Sequence, residues 1–208
     1  MSQVLALAQQ QVDGKAAEEQ VREWVRSELA QHNLGGRVDQ LESELKRLAP
    51  RTVSNRATLV VFSGDMDKVL AGLVIATGAA AMGLEVSMFH TFWGLNSLRS
   101  KPTSQGKDLI ERAMGAMMPA GLDAMNPSQM SFGGIGAKLF RHRMEKNGVQ
   151  SPQEFFELAR EMGVKFIACQ MSMEVMGIRK EELVDGVEVG GVAAYLGDAA
   201  DSKVTLFI

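Results

Sequence analysis

The chain has 208 residues, a formal charge of −3 and 46% hydrophobic residues, including no basic stripe, so it can bury a sizeable core and nucleic acid is not an expected partner. Its single cysteine excludes an internal disulfide, a CxxC redox pair and any multi-cysteine metal site. That usage fits a reducing compartment, and a cytoplasmic location is expected.

No basic region followed by an apolar run opens the chain, so no secretory signal is expected. Residues 1–50 read as a helical appendage. From Lys15 to Asn33 the spacing places Val21, Trp24, Val25 and Leu29 on one helical face, with Glu18 and Arg22 supporting it at i,i+4. Gly35-Gly36 is expected to break this helix. A second helix is expected from about Val38 to Leu48, closed by Pro50. Two roles stay open for the pair: packing on its own domain, or an element of self-association.

Residues 51–208 read as one α/β domain. Ala57 to Phe62 is the clearest strand, followed by Ser63-Gly64-Asp65 and a helix from about Met66 to Met82 that Gly83 stops. Ala71, Gly72, Ala76 and Gly78 suit close approach to a sheet. Leu84 to His90 is the next strand, and the strand–helix–strand unit implies parallel pairing. The longest uncharged apolar run, Val69 to Leu84, is shorter than the roughly 20 residues a spanning helix needs, so membrane association is not expected. Ser63-Gly64-Asp65 is a weak anion-cradle signal beside the plainer reading of Asp65 as a helix cap. No nucleotide-binding glycine motif is present and no cofactor is expected. Thr91, Phe92 and Trp93 sit where a strand's carboxyl end can wall a pocket. His90 and His142 lack ligand spacing, so no metal site is expected.

Gly106 to about Met118 reads as a helix. The stretch that follows mixes Met117, Met118, Met125, Met130 and Met144 with Pro119, Gly121, Gly133, Gly134 and Gly136. It is either a loosely patterned core insertion or a methionine-rich flap over the functional end of the sheet. Ser151-Pro152-Gln153-Glu154 is a capping box, starting a helix to Met162 that Gly163 stops. Val164 to Ala168 is a short buried strand, and Ser172 to Met176 opens a helix. Cys169 therefore lies in a strand-to-helix turn, where a sheet's ligands collect and where helix N–H groups favour a thiolate. From position alone, a small buried hydrophobe and a functional thiol are both open. Arg179 to Val184 reads as a short surface helix, Val187 to Val189 as a strand, Gly190 to Ala200 as a helix and Lys203 to Ile208 as a last strand. The alternation predicts a doubly wound, mostly parallel sheet.

Four segments together resemble the DsrE/DsrF-like sulfur-transfer family, in particular its DsrE2-type members. They are Phe62 to Lys68; Thr77 to Gly83 with Phe92 to Leu95; Met117-Met118-Pro119 through Gly133 to Gly136; and Ala168-Cys169-Gln170-Met171-Ser172-Met173. The resemblance spans about residues 57–208 and leaves the first 50 uncovered. It implies a three-layer α/β/α sandwich that oligomerises, and a cysteine that carries sulfane sulfur as a persulfide and exchanges it with rhodanese-type or TusA-like proteins. Cys169 occupies that cysteine's place. Ser63, Gly64, Asp65, Thr91, Phe92 and Trp93 are the expected substrate-binding residues around it. With no second cysteine in the chain, a persulfide on Cys169 can be resolved only by an outside thiol.

Overall fold

The computed structural model describes residues 18–28, 34–48 and 54–208. The chain divides into two units between Thr52 and Val53. In the first, α1 covers residues 18–28 and α2 covers Leu34–Leu48. Gly35 and Gly36, expected as a break, lie in the first turn of α2. There the backbone N–H groups lack intrahelical partners in any case, so glycine costs the helix least. Val21, Trp24, Val25, Val38 and Leu41 are all exposed.

The second unit is built on five parallel strands: β1 (Ser54–Val61), β2 (Glu85–His90), β3 (Lys165–Cys169), β4 (Glu188–Gly190) and β5 (Ser202–Phe207). Their spatial order is β4-β3-β2-β1-β5. The chain steps outward from β1 to β4, then returns to the far side of β1. With right-handed crossovers, such a reversal puts the last helix on the opposite face from the earlier ones. Accordingly α3 (Met66–Ala81) and α6 (Pro152–Glu161) pack together, while α8 (Val192–Ala200) lies on β1, β4 and β5. The result is an α/β/α sandwich.

The two faces of the sheet are unequal. Leu59, Val61, Met88, Phe166 and Ala168 join Val69 and Leu73 of α3 and Phe156 and Ala159 of α6 in the main core. On the α8 side, Phe89, Ile167 and Cys169 form a small cluster against which Tyr195 packs, and α8 buries no residue fully. α3 shows why its sequence suits the larger face. Met66, Val69, Gly72, Leu73, Ala76 and Thr77 recur at three-four spacing and make its buried stripe. Both Asp108 and Ser151 close reciprocal capping boxes, at the starts of α4 (Leu109–Met117) and α6.

The sheet's carboxyl edge is held by backbone. A 3-10 turn over Phe92–Leu98 leaves β2, and its Gly94 N–H donates to the Phe62 carbonyl at 2.9 Å. Thr91 N–H donates to Val61 at 3.0 Å. A Cβ on Gly94 would stand 2.1 Å from the Val61 carbonyl oxygen, so only glycine permits this approach.

The methionine-rich stretch is not one flap. Met118, Leu122 and Met125 are buried in the main core, and the Asn126 carbonyl accepts from Met66 N–H at 2.8 Å. Ser128 donates through N–H and Oγ to the Asp67 carboxylate at 2.7 and 2.6 Å. Met117 and Met130 are exposed instead. Beyond them, α5 (Ile135–Lys146) stands where the glycines suggested only broken chain.

Candidate functional site

β2 and β3 are neighbours, with His90 opposite Ala168. One residue further along each strand, that register brings Thr91 beside Cys169. Cys169 ends β3 and immediately precedes α7 (Gln170–Met176), so its backbone is still extended while the next residues turn. The side chain of Ser172, three residues on, comes back toward the thiol. Thr91 Oγ1 and Ser172 Oγ lie 2.7 Å apart. Both hydroxyls are buried, as is Cys169 at 5% exposure, whereas Gln170 and Met171 are exposed.

Burial here pushes the Cys169 thiol up. Against it act the Ser172–Thr91 hydroxyl pair, which keeps one proton between its two oxygens and offers the other to the sulfur, and the N–H groups of Ser172 and Met171. The net result is a thiol below its ordinary value, because each of these donors favours the charged form. A lone apolar cysteine would be expected to move the other way. The site can therefore present a sulfur nucleophile.

His90, next to Thr91, points to the opposite face. Its ring lies 5.9 Å from that of Phe166, and its Nδ1 is 3.1 Å from the Gly94 carbonyl oxygen. Complete burial lowers its pKa from 6.5 to about 4, only partly offset by that hydrogen bond. It is neutral at physiological pH and holds the turn after β2.

The other expected site residues gather elsewhere. Ser63, Gly64, Asp65 and Trp93 line a cavity of about 340 Å³ together with Phe62, Lys68, Asn96 and Pro119. It opens at the carboxyl end of β1, where the strand order reverses between β1 and β5. Asp65 precedes α3 but does not cap it through its side chain. Its carboxylate accepts from Ser63 Oγ at 3.0 Å and Lys68 Nζ at 2.7 Å. Phe92 lies against Phe62, with ring centroids 5.5 Å apart. Thr91 alone of the six sits with Cys169. Ser172 joins the site unannounced by any motif, although a serine three residues after a helix-opening cysteine is placed to reach back to it. Asn96 and Lys68 carried no such signal.

Comparison with known proteins adds a family. A profile of the DsrE/DsrF/DrsH-like family matches residues 54–207. The uncharacterized protein YrkE of Bacillus subtilis (strain 168) is 46% identical over 158 residues, covering 74% of this chain and 98% of that protein. The sulfur carrier protein DsrE2 of Allochromatium vinosum is 34% identical over 157 residues, again covering 74% and 98%. Among solved structures, the ychN protein from E. coli shows a TM-score of 0.42 at 12% identity, over 74% of this chain and 99% of that one. With residues 54–207 matched by the profile and two relatives 46% and 34% identical over 74% of its length, the chain belongs to the DsrE/DsrF/DrsH-like family.

Proposed function

We propose that the protein is a sulfur carrier that holds sulfane sulfur as a persulfide on Cys169 and passes it to a thiol of a partner protein. The observation that carries this reading is the buried Thr91–Ser172 hydroxyl pair, 2.7 Å apart beside Cys169, which with the Ser172 and Met171 N–H groups favours a thiolate on the chain's only cysteine. The name of the A. vinosum relative points the same way.

In the loading step the Cys169 thiolate attacks the outer sulfur of a donor persulfide, R–S–SH. A sulfur–sulfur bond forms to Cys169 as the donor's bond breaks, and the donor leaves as its thiolate, R–S⁻. Unloading reverses the roles, with an acceptor thiolate taking the outer sulfur and Cys169 leaving as thiolate. Neither step needs an oxidant or a reductant. The thiol pKa matters twice, since a low value raises the thiolate fraction for attack and makes Cys169 the better leaving group. Because the thiol lies beneath the surface beside exposed Gln170 and Met171, donor and acceptor approach over that rim. Rhodanese-type and TusA-like proteins are the partners the family resemblance implies.

Self-association belongs to the same proposal. Phe207, 72% exposed on the edge strand β5, stacks on Phe62 at 5.7 Å, and Val192 and Leu196 of α8 are also exposed. A second copy on that side would bury an apolar surface of the thinly covered face. Among the described residues no helix is long and apolar enough to cross a membrane. A cytoplasmic location belongs to the proposal because the single cysteine fits a reducing compartment.

A second reading is a small-ligand module using the cavity at Ser63, Gly64, Asp65 and Trp93. The two separate in a transfer assay. Protein loaded with radiolabelled sulfane sulfur and desalted should surrender the label to an added acceptor protein thiol. The Cys169→Ser variant should carry none. Label retained equally by both proteins would sink the carrier reading.

A further inference from the structure

The polarity of α4 is reversed. Its half-buried residues are Glu111, Met114 and Gly115, and none of its residues is fully buried. The residues it sends to solvent are Leu109, Ile110, Arg112, Ala113, Ala116 and Met117, of which Arg112 alone is charged. Leu109, Ile110 and Met117 are 82%, 71% and 85% exposed. A surface helix of a globular domain ordinarily keeps its apolar stripe inward and its charges out. The helix is firmly set nonetheless. Asp108 and Glu111 close its first turn, and its inner side rests on α7, where a Cβ on Gly177 would stand 2.9 Å from Glu111 Cγ.

α7 continues the same surface. Met173 and Met176 enter the main core, while Met171 and Val175, one turn apart, are exposed. Gln170 and Glu174 border them, with Gln170 Nε2 donating to Glu174 Oε1 at 3.0 Å. Two adjoining helices thus leave Leu109, Ile110, Met117, Met171 and Val175 uncovered, and one of these helices follows Cys169 directly.

We propose that the outward side of α4 and α7 is the docking surface for the proteins that exchange sulfur with Cys169. It fits a partner that presents its reactive cysteine beside a predominantly apolar surface. The inference rests on the carrier reading. Cys169 lies beneath the rim formed by Gln170 and Met171, so a protein that brings a sulfur to it must rest on whatever flanks that rim. What flanks it is the exposed apolar side of α7 and then of α4, a surface of the kind that marks a protein interface. A second copy seated here permanently would close the approach past Gln170 and Met171. A visiting partner covers the apolar side chains during transfer and leaves the thiol accessible afterwards.

The test compares two donors that give the same outer sulfur to the Cys169 thiolate and leave as thiolates. One is glutathione persulfide, which needs no docking surface, and the other is a purified rhodanese-type protein carrying a persulfide. Loading of the full-length chain is followed against time by intact-mass spectrometry. Ile110→Glu/Met117→Lys puts two charges on the surface, each of the sign that suits its end of α4, so the helix should persist. The variant should load from glutathione persulfide at the wild-type rate and from the protein donor about tenfold more slowly, or worse. Equal slowing with both donors, or none with either, would overturn the docking surface. So would a wild type that takes sulfur from the small donor and not from the protein. An altered mass by light scattering with an unchanged rate from the protein donor would make this face a contact between copies, and would overturn it too. If wild type loads from neither donor, the carrier reading fails and this surface with it. Should the double variant not fold, Leu109→Gln carries the same comparison.

Discussion

His90 gives the fold a pH dependence that can be worked out in advance. In the folded chain its pKa falls from 6.5 to about 4 because the ring is completely buried. The unfolded chain takes up this proton as the pH drops through about 6.5, and the folded chain refuses it until about 4. Stability from this residue is therefore intact above 6.5, is lost progressively between 6.5 and 4, and is flat below. The full difference between the two values corresponds to about 3 kcal/mol, of which about 2 kcal/mol is lost between pH 7 and pH 5. The perturbation is His90→Gln, which removes the titrating group. Urea denaturation at pH 7 and pH 5, followed by fluorescence and compared within each protein, isolates the slope from the change in absolute stability. Wild type should lose about 2 kcal/mol more than the variant between the two pH values. Losses from the low-lying carboxyls of Asp67 and Glu182 are common to both proteins and cancel. Equal slopes would mean that His90 is already solvated or charged in the folded state, and the packing described for the end of β2 would be wrong.

Other consequences follow from particular contacts. Met125→Ala should cost about 2–5 kcal/mol in denaturant unfolding, because the side chain is wholly buried, and should leave the alkylation rate of Cys169 unchanged. An unchanged stability with faster alkylation would restore the flap. Gly94→Ala should destabilise by more than about 2 kcal/mol, since its Cβ would meet the Val61 carbonyl oxygen at 2.1 Å; a neutral effect in the same unfolding experiment would contradict that approach. Ser172→Ala should raise the pH midpoint of Cys169 alkylation, and an unmoved midpoint would remove Ser172 from the site. Removal of residues 1–52 should leave a folded α/β unit by near-UV circular dichroism and change its self-association measured by light scattering; loss of tertiary signal would show that they belong to the core.

The α/β layout was legible because its strongest signals are local. Apolar runs at β1 and β3 stand directly beside glycine stops, and Ser151 to Glu154 announces α6 by its caps alone. What was illegible depends on distant backbone. The turn at Phe92–Leu98 has no periodicity of its own and exists because Gly94 fits under the Val61 and Phe62 carbonyls. α5 was hidden behind glycines that read as breaks. Gly133 and Gly134 take positive φ before its first turn, and a Cβ on Gly136 would lie 1.4 Å from the Met130 carbonyl oxygen. In the site, Cys169 was readable from its strand-to-helix position. Its pairing with Thr91 depends on the β2–β3 register, which sequence spacing does not encode. Ser63, Gly64 and Asp65 were grouped with it because both segments end strands at the same edge. The sheet places them at β1, around a cavity that Cys169 does not line.

The central claim is that Cys169 accepts a sulfane sulfur, and intact-mass spectrometry after exposure to an excess of a persulfide donor measures it directly. Wild type should gain the mass of one sulfur atom, lost again on treatment with a reducing thiol, and Cys169→Ser should gain nothing. A wild-type protein that stays at its original mass, or a Cys169→Ser variant that gains the same sulfur, would contradict the account.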